Sequence, residues 1–125
     1  MAKQGRTGTM RFKITEKGGV SVVSVTGDVS NSAVDEFMRM IMDLYENGRV
    51  NIVLDLSKCT RITGINLSIL MYFKKRISAK GGDIRIACAG RAVTRYFRRT
   101  GADRIFHMHQ RREGAIFSFS DHREA

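Results

Sequence analysis

VNIVL at 50–54, followed by DLS at 55–57, decides how this chain reads. Four of those first five residues are apolar, and three are β-branched (Val50, Ile52, Val53). A strand whose alternate residues are apolar on both faces belongs inside a parallel sheet. Parallel neighbours need crossover connections, usually helices, so helical patterns should flank this strand. Upstream, Val34, Phe37, Met38, Ile41 and Met42 recur at helical spacing and Gly48 stops them. Ser32 with Asp35 three residues on resembles a capping box. Downstream, a loop is expected from Ser57 to Arg61. A second helix then opens at Thr63 or Gly64 and runs through Leu67, Leu70, Phe73 and Ile77 to Gly81-Gly82.

Working outward, Met10, Phe12 and Ile14 alternate with Arg11, Lys13 and Thr15, the period of a half-buried strand. Gly18-Gly19 separates it from VSVVSV at 20–25, which predicts an antiparallel hairpin. Ile84, Ile86 and Cys88 mark a fourth strand. Arg91 to Thr100 is a third helix ended by Gly101, Ile105 to Met108 a fifth strand, and Gly114 to Phe119 a short terminal helix. The expectation is one α/β domain in the order ββαβαβαβα. Its sheet is mixed and mostly parallel, of about five strands, with an N-terminal hairpin and helices packed on it. Residues 1–9 are expected to be a disordered leader and 120–125 a flexible tail. In such sheets binding surfaces collect where strand ends meet helix starts, which points to the turn between Leu54 and Leu67.

With 125 residues, 42% hydrophobic and 27% charged, the chain suits one folded domain rather than a disordered one. No apolar run approaches a membrane span of roughly 18 residues, and the first nine residues do not read as a signal peptide. Two cysteines, Cys59 and Cys88, cannot build a disulfide scaffold; both read as small core residues, and a cytoplasmic location is the expectation. The formal net charge is +10, from 22 Lys and Arg against 12 Asp and Glu. Positions 61–112 hold thirteen of those cations against only Asp83 and Asp103. Positions 28–46 run the other way, with Asp28, Asp35, Glu36, Asp43 and Glu46 against Arg39. A basic side and a smaller acidic side should result. Such a balance raises nucleic acid as a partner, although a solvated charged face looks the same. Arg91, Arg95, Arg98 and Arg99 form one basic helix edge.

Catalytic chemistry is scarce. No GxSxG, GxxxxGK[ST] or HExxH occurs, and no carboxylate pair stands out as an acid/base couple. His107 and His109, two apart on one strand face, lack a third ligand, so no metal and no cofactor is expected. Asp28 and Asp55 read as turn residues at strand ends. The second helix carries two apolar stripes: Ile65, Ile69 and Tyr72, and Leu67, Leu70, Met71, Phe73 and Ile77. One stripe can face the sheet. The other is either more core or an exposed protein-binding patch.

The stretch from about Met10 to Phe119 resembles the STAS domain, as in bacterial anti-sigma factor antagonists. VVSVTGDV (22–29) looks like the family's strand ending in Gly-x-(hydrophobic or acidic), and NIVLDLS (51–57) is similar to its third strand. ILMYFKKRISAKGGDIRIACAG (69–90) is similar to its helix, Gly-Gly turn and fourth strand, and GADRIFHMHQRREGAI (101–116) resembles its closing segment. The resemblance implies a non-enzymatic, cytoplasmic protein-binding domain of bacterial partner switching, which acts in transcription regulation. Family members bind an anti-sigma factor, a histidine-kinase-like ATPase, and so free a sigma factor. That kinase phosphorylates a serine in an Asp-Ser-Ser-Gly motif at the start of the second helix.

Here the chain departs from the family. Aligning Asp55 and Leu67 without gaps lays Thr63, Gly64, Ile65 and Asn66 over that motif, so Ile65 stands at the phosphoserine position. Isoleucine cannot accept a phosphate, and the usual off-switch is then missing. Thr63 is the nearby hydroxyl that a two-residue gap would make the acceptor; its ordinary role is a helix N-cap. The expected contact surface comprises Asp28, Asn31, Arg61, Thr63, Gly64, Ile65, Asn66, Ile69 and Tyr72, with apolar residues supplying affinity and Arg61 orienting the partner. The alternatives are a STAS subunit of a membrane transporter complex that binds its ATPase, and a nucleic-acid-binding domain working through the arginine edge.

Overall fold

The alternation of Met10, Phe12 and Ile14 with polar neighbours does make a strand, and those three residues turn inward to the core. The computed structural model describes residues 3–7 and 10–124, with side chains from 10 to 120. The elements are β1 (Lys3–Thr7), β2 (Met10–Lys17), β3 (Val20–Val29), α1 (Val34–Glu46), β4 (Asn51–Ile62), α2 (Gly64–Ala79), β5 (Asp83–Ala87), α3 (Arg91–Thr100), β6 (Met108–His109) and α4 (Arg112–Glu124). Short 3₁₀ turns, Asn31–Ala33 and Ala102–Arg104, precede α1 and follow α3.

The strands form one sheet in chain order, β1 to β6. β1, β2 and β3 pair antiparallel, and β3 to β6 pair parallel. Parallel strands added successively in one direction, through right-handed crossovers, place every crossover helix on the same face. The large core accordingly lies on that face. Val23, Val25, Ile52, Leu54, Ile84 and Ile86 pack there with Phe37, Met40, Leu70, Phe73 and Phe97 of α1, α2 and α3. On the opposite face Val20, Val22, Val53 and Ala87 form a smaller cluster with Ala115, Ile116 and Phe119 of α4. β4 is therefore buried on both sides, as its VNIVL sequence requires.

Several boundaries differ from expectation. Lys3–Thr7, within the expected leader, pairs with β2 in the register Lys3↔Ile14 to Thr7↔Met10. An edge strand needs a hydrogen-bonding partner more than an apolar face, so polarity is a poor guide to it. Residues 1, 2, 8 and 9 of that leader lie outside the described residues, as does 125 of the tail; α4 is helical from 112 to 124. The loop expected at 57–61 is the second half of β4. Two register shifts there let Thr26 pair with Lys58 and Asp28 with Arg61. Bulges keep Cys59 and Ile62 inside while Ser57, Lys58, Thr60 and Arg61 face solvent, a pattern that reads as a loop without the register. Of the fifth strand expected at 105–108 only Met108 is in β6; 105–107 form an irregular turn after the 3₁₀ segment, so His107 lies before the strand rather than on it. No side-chain cap bond starts α1; the Ser32 hydroxyl meets that of Ser30 at 2.9 Å.

Candidate functional site

Parallel pairing brings the C-terminal ends of β3 and β4 together, directly before α1 and α2. Asp28 and Arg61 are register partners there. The Arg61 Nε donates to Asp28 Oδ1 at 2.9 Å and its Nη2 to Oδ2 at 2.7 Å, a two-pronged ion pair. That hydrogen bond, against a small opposing effect of burial, holds the Asp28 carboxyl below the usual range and raises Arg61. Arg61 thus arrives already engaged, and the pair presents as one unit.

Behind it lies a buried polar staple. The Asn66 side chain is 0% exposed. Its Nδ2 donates to the carbonyls of Val29 at 3.1 Å and Ser30 at 2.8 Å, and to Thr63 Oγ1 at 3.0 Å. Thr63 occupies the N-cap position of α2 in an extended conformation, yet its hydroxyl bonds no helix N–H. It donates to the Val29 carbonyl at 3.3 Å instead. The Thr63 backbone N–H reaches the same carbonyl at 3.0 Å. Two expectations are corrected here. Asn66 is no contact residue, because it is enclosed, and the Thr63 side chain ties the β3 end rather than capping the helix. Both outcomes use the remaining acceptor capacity of the Val29 and Ser30 carbonyls, each of which already takes one backbone N–H.

The two stripes of α2 part company. Leu67, Leu70, Phe73 and Ile77 are core, whereas Ile65 and Tyr72 stay 51% and 52% exposed. Ile69 is half-buried between them, and Gly64 and Asn31 are exposed. At 100° per residue, Ile65, Ile69 and Tyr72 fall within an arc of about 60°. The Arg76 guanidinium lies over the Tyr72 ring, 4.5 Å from its centroid. A strip of apolar surface beside a fixed ion pair suits a protein partner.

A STAS domain model matches residues 11–115. The chain belongs to the STAS domain family. Among solved structures, an anti-sigma factor antagonist from Mycobacterium paratuberculosis superposes with TM-score 0.80 at 23% identity, over 88% of this chain and 93% of that one. A putative anti-sigma factor antagonist from Thermotoga maritima gives TM-score 0.81 at 21% identity, over 86% and 92%. A sulfate transporter family protein from Wolinella succinogenes gives 0.73 at 13% identity, over 89% and 93%. No curated protein sequence matches.

Elsewhere in this STAS domain, several charged groups counted in the sequence as free surface are tied to buried aspartates. Arg85 is buried, donating to Asp83 Oδ2 at 3.0 Å and to Ser118 Oγ at 2.6 Å, while Lys74 pairs with the other Asp83 oxygen. Arg112 donates to Asp55 Oδ2 at 2.9 Å and to Ser24 Oγ at 2.9 Å, tying α4 to the sheet. Asp55 is inside β4, not at a strand end. Burial opposes ionisation of both aspartates, but hydrogen bonds outweigh it and lower both pKa values: those from Ser57 and Arg112 at Asp55, and those from Lys74 and Arg85 at Asp83. Asp83 opens β5, and its charge was counted in the sequence only as part of the balance at 61–112.

Cys59 is buried and its thiol is pushed up to about 11 by burial. Cys88 is only half-buried, packs at the edge of the smaller cluster and takes a left-handed φ of 61° just after β5. Among the described residues no group of three or more His, Cys, Asp or Glu is placed to hold a metal ion. No helix there is long and apolar enough to cross a membrane. Arg91, Arg95, Arg98 and Arg99 are all exposed on α3.

Proposed function

We propose that this STAS domain is a non-enzymatic, cytoplasmic regulator of the anti-sigma factor antagonist kind, which binds an anti-sigma factor through the start of α2. The partner would be of the histidine-kinase-like ATPase class, and its capture would free a sigma factor. The observation that carries this reading is the exposure of Ile65 and Tyr72 on one side of α2, next to the Asp28–Arg61 pair. Burying the half of each side chain still exposed contributes about 1 kcal/mol apiece, enough to make them the anchors of a contact of ordinary size. Asp28, Asn31, Arg61 and Gly64 would form its rim, and Ile69 its floor.

The serine phosphoswitch is absent in this reading. Ile65 offers no hydroxyl at the position the resemblance assigns to the acceptor. The Thr63 hydroxyl is half-buried and engaged on both sides, by the Val29 carbonyl and the Asn66 amide. Binding would then be regulated by the partner or by abundance rather than by phosphate on this chain.

The test is an affinity pull-down from the native cell with nuclease treatment, followed by calorimetry with the recovered regulator. Ile65→Glu should weaken binding by about 100-fold or more, since a carboxylate would be buried without a partner, and should leave the thermal midpoint unchanged. Wild-type affinity in that variant would overturn the surface. Recovery of membrane-transporter ATPase subunits in place of an anti-sigma factor would overturn the pathway.

A further inference from the structure

We propose that the outward face of α3 binds the phosphate backbone of double-stranded nucleic acid, at a site separate from the protein-binding strip on α2. At 100° per residue, Arg91, Arg95, Arg98 and Arg99 lie within an arc of about 100°. The buried residues Val93 and Phe97 lie almost diametrically opposite. All four arginines are exposed, and none makes an ion pair among the described residues.

A merely solvated face does not need this arrangement. Arg91/Arg95, Arg95/Arg98 and Arg95/Arg99 are like-charge neighbours at helical spacing, and each such pair weakens the helix. Arg91 sits in the first turn, which holds no acidic residue, where the helix dipole disfavours a cation. Past the helix, Arg104 is also exposed, beside a mixed groove of about 590 Å³ lined by Thr94, Arg98, Ile105, Phe106 and His107, with Asp103 its one acid.

The chemistry selects the occupant. Every cation from 91 to 112 is an arginine, whose fork matches phosphate oxygens. A lipid surface would need large apolar side chains on the same face, but the exposed residues of α3 are Arg91, Ala92, Arg95, Arg98, Arg99 and Thr100. A single strand would need an aromatic platform, yet Phe97 is buried and Tyr96 half-buried. A duplex carries a phosphate charge for about every 1.7 Å of axis, so a helix of about 15 Å can meet several at once without reading bases.

The experiment is fluorescence anisotropy of the full chain with a labelled 20-base-pair DNA duplex in 50–200 mM NaCl. Four neutralised phosphates predict a slope of log K on log salt of about −3.6, and a loss of roughly two orders of magnitude across that range. Arg95→Glu/Arg99→Glu should bind at least 10-fold more weakly with a slope nearer −2. Arg95→Gln/Arg99→Gln, which keeps the helix uncrowded by new charge, should lower the slope equally and serves if the glutamate variant fails to fold. Arg11→Glu/Lys13→Glu, on the opposite face of the sheet, should bind within about twofold of wild type. A slope near zero, unchanged binding in the α3 variants, or loss in the sheet-face variant instead would overturn the proposal. So would tighter binding to phosphatidylserine vesicles than to the duplex.

Discussion

Replacing Asn66 by alanine should destabilise the domain by about 2 kcal/mol, and the figure can be built from its contacts. The amide of this enclosed side chain supplies donors to the Val29 and Ser30 carbonyls and to Thr63 Oγ1. A typical hydrogen bond contributes about 0.5–1.5 kcal/mol net, and a buried acceptor left unpaired costs about 1–3 kcal/mol. Neither carbonyl is wholly orphaned by the change. Val29 keeps the Thr63 N–H at 3.0 Å, and Ser30 keeps the Ala33 N–H at 3.0 Å. The loss is therefore nearer the sum of two net bonds than of two bare acceptors. Asn66 Oδ1, which has no partner among the described residues, is removed as well and offsets part of the lost packing. Urea unfolding followed by circular dichroism measures the change. Asn66→Leu separates donors from volume: it fills the space but donates nothing, so it should also remain about 2 kcal/mol below wild type. If both variants lie within about 0.5 kcal/mol of wild type, the range of an uninvolved surface site, the staple does not hold the two loops. Because those loops carry the proposed contact surface, Asn66→Ala should also weaken partner binding although the residue touches no partner.

Gly82→Ala should destabilise by more than about 2 kcal/mol, because a Cβ there would lie 2.0 Å from the Val50 carbonyl oxygen, a rigid backbone atom; an unchanged urea midpoint would show that β4 and β5 can separate freely. Asp83→Asn leaves the buried Arg85 without its carboxylate and should cost about 3 kcal/mol at neutral pH, read by the same assay. Asp55 and Asp83 have lowered pKa values in the fold, so their stabilisation is present above the unfolded value of about 3.9 and is lost as pH falls through the folded values. Stability should be flat above about pH 5 and fall steeply below about pH 4, and Asp83→Asn should lose less on acidification than wild type.

Much of this protein follows from local pattern. The alternation at 10–15, the apolar run at 50–54 and the helical spacing at 34–42 and 67–77 report burial directly, because side-chain direction repeats every two residues in a strand and every 3.6 in a helix. Right-handed crossovers then follow from chain chemistry, whereas the one-directional strand order is a finding of the structure. The candidate site was legible as a place, the end of β4 and the start of α2, and Ile65 and Tyr72 could be named from their stripe. Which stripe stayed in solvent could not, since both are apolar and only packing on the sheet chooses between them.

The polar residues were the least legible. Asn66 and Thr63 read as a contact residue and a cap. Arg85 and Arg112 read as surface charge, and 57–61 as a loop. Each was decided by groups distant in sequence: the Val29 carbonyl 37 positions from Asn66, Ser118 33 from Arg85, and Asp55 57 from Arg112. An apolar side chain is buried by any apolar neighbour, so its own period announces its fate. A polar side chain is buried only if particular donors and acceptors arrive beside it. By itself the sequence determined the strands and helices of the core, their order and the family. The tertiary structure decided which polar groups turn inward to hold the β3 and β4 ends and which side of α2 stays in solvent, because hydrogen-bond partners are assigned only when the sheet brings them together.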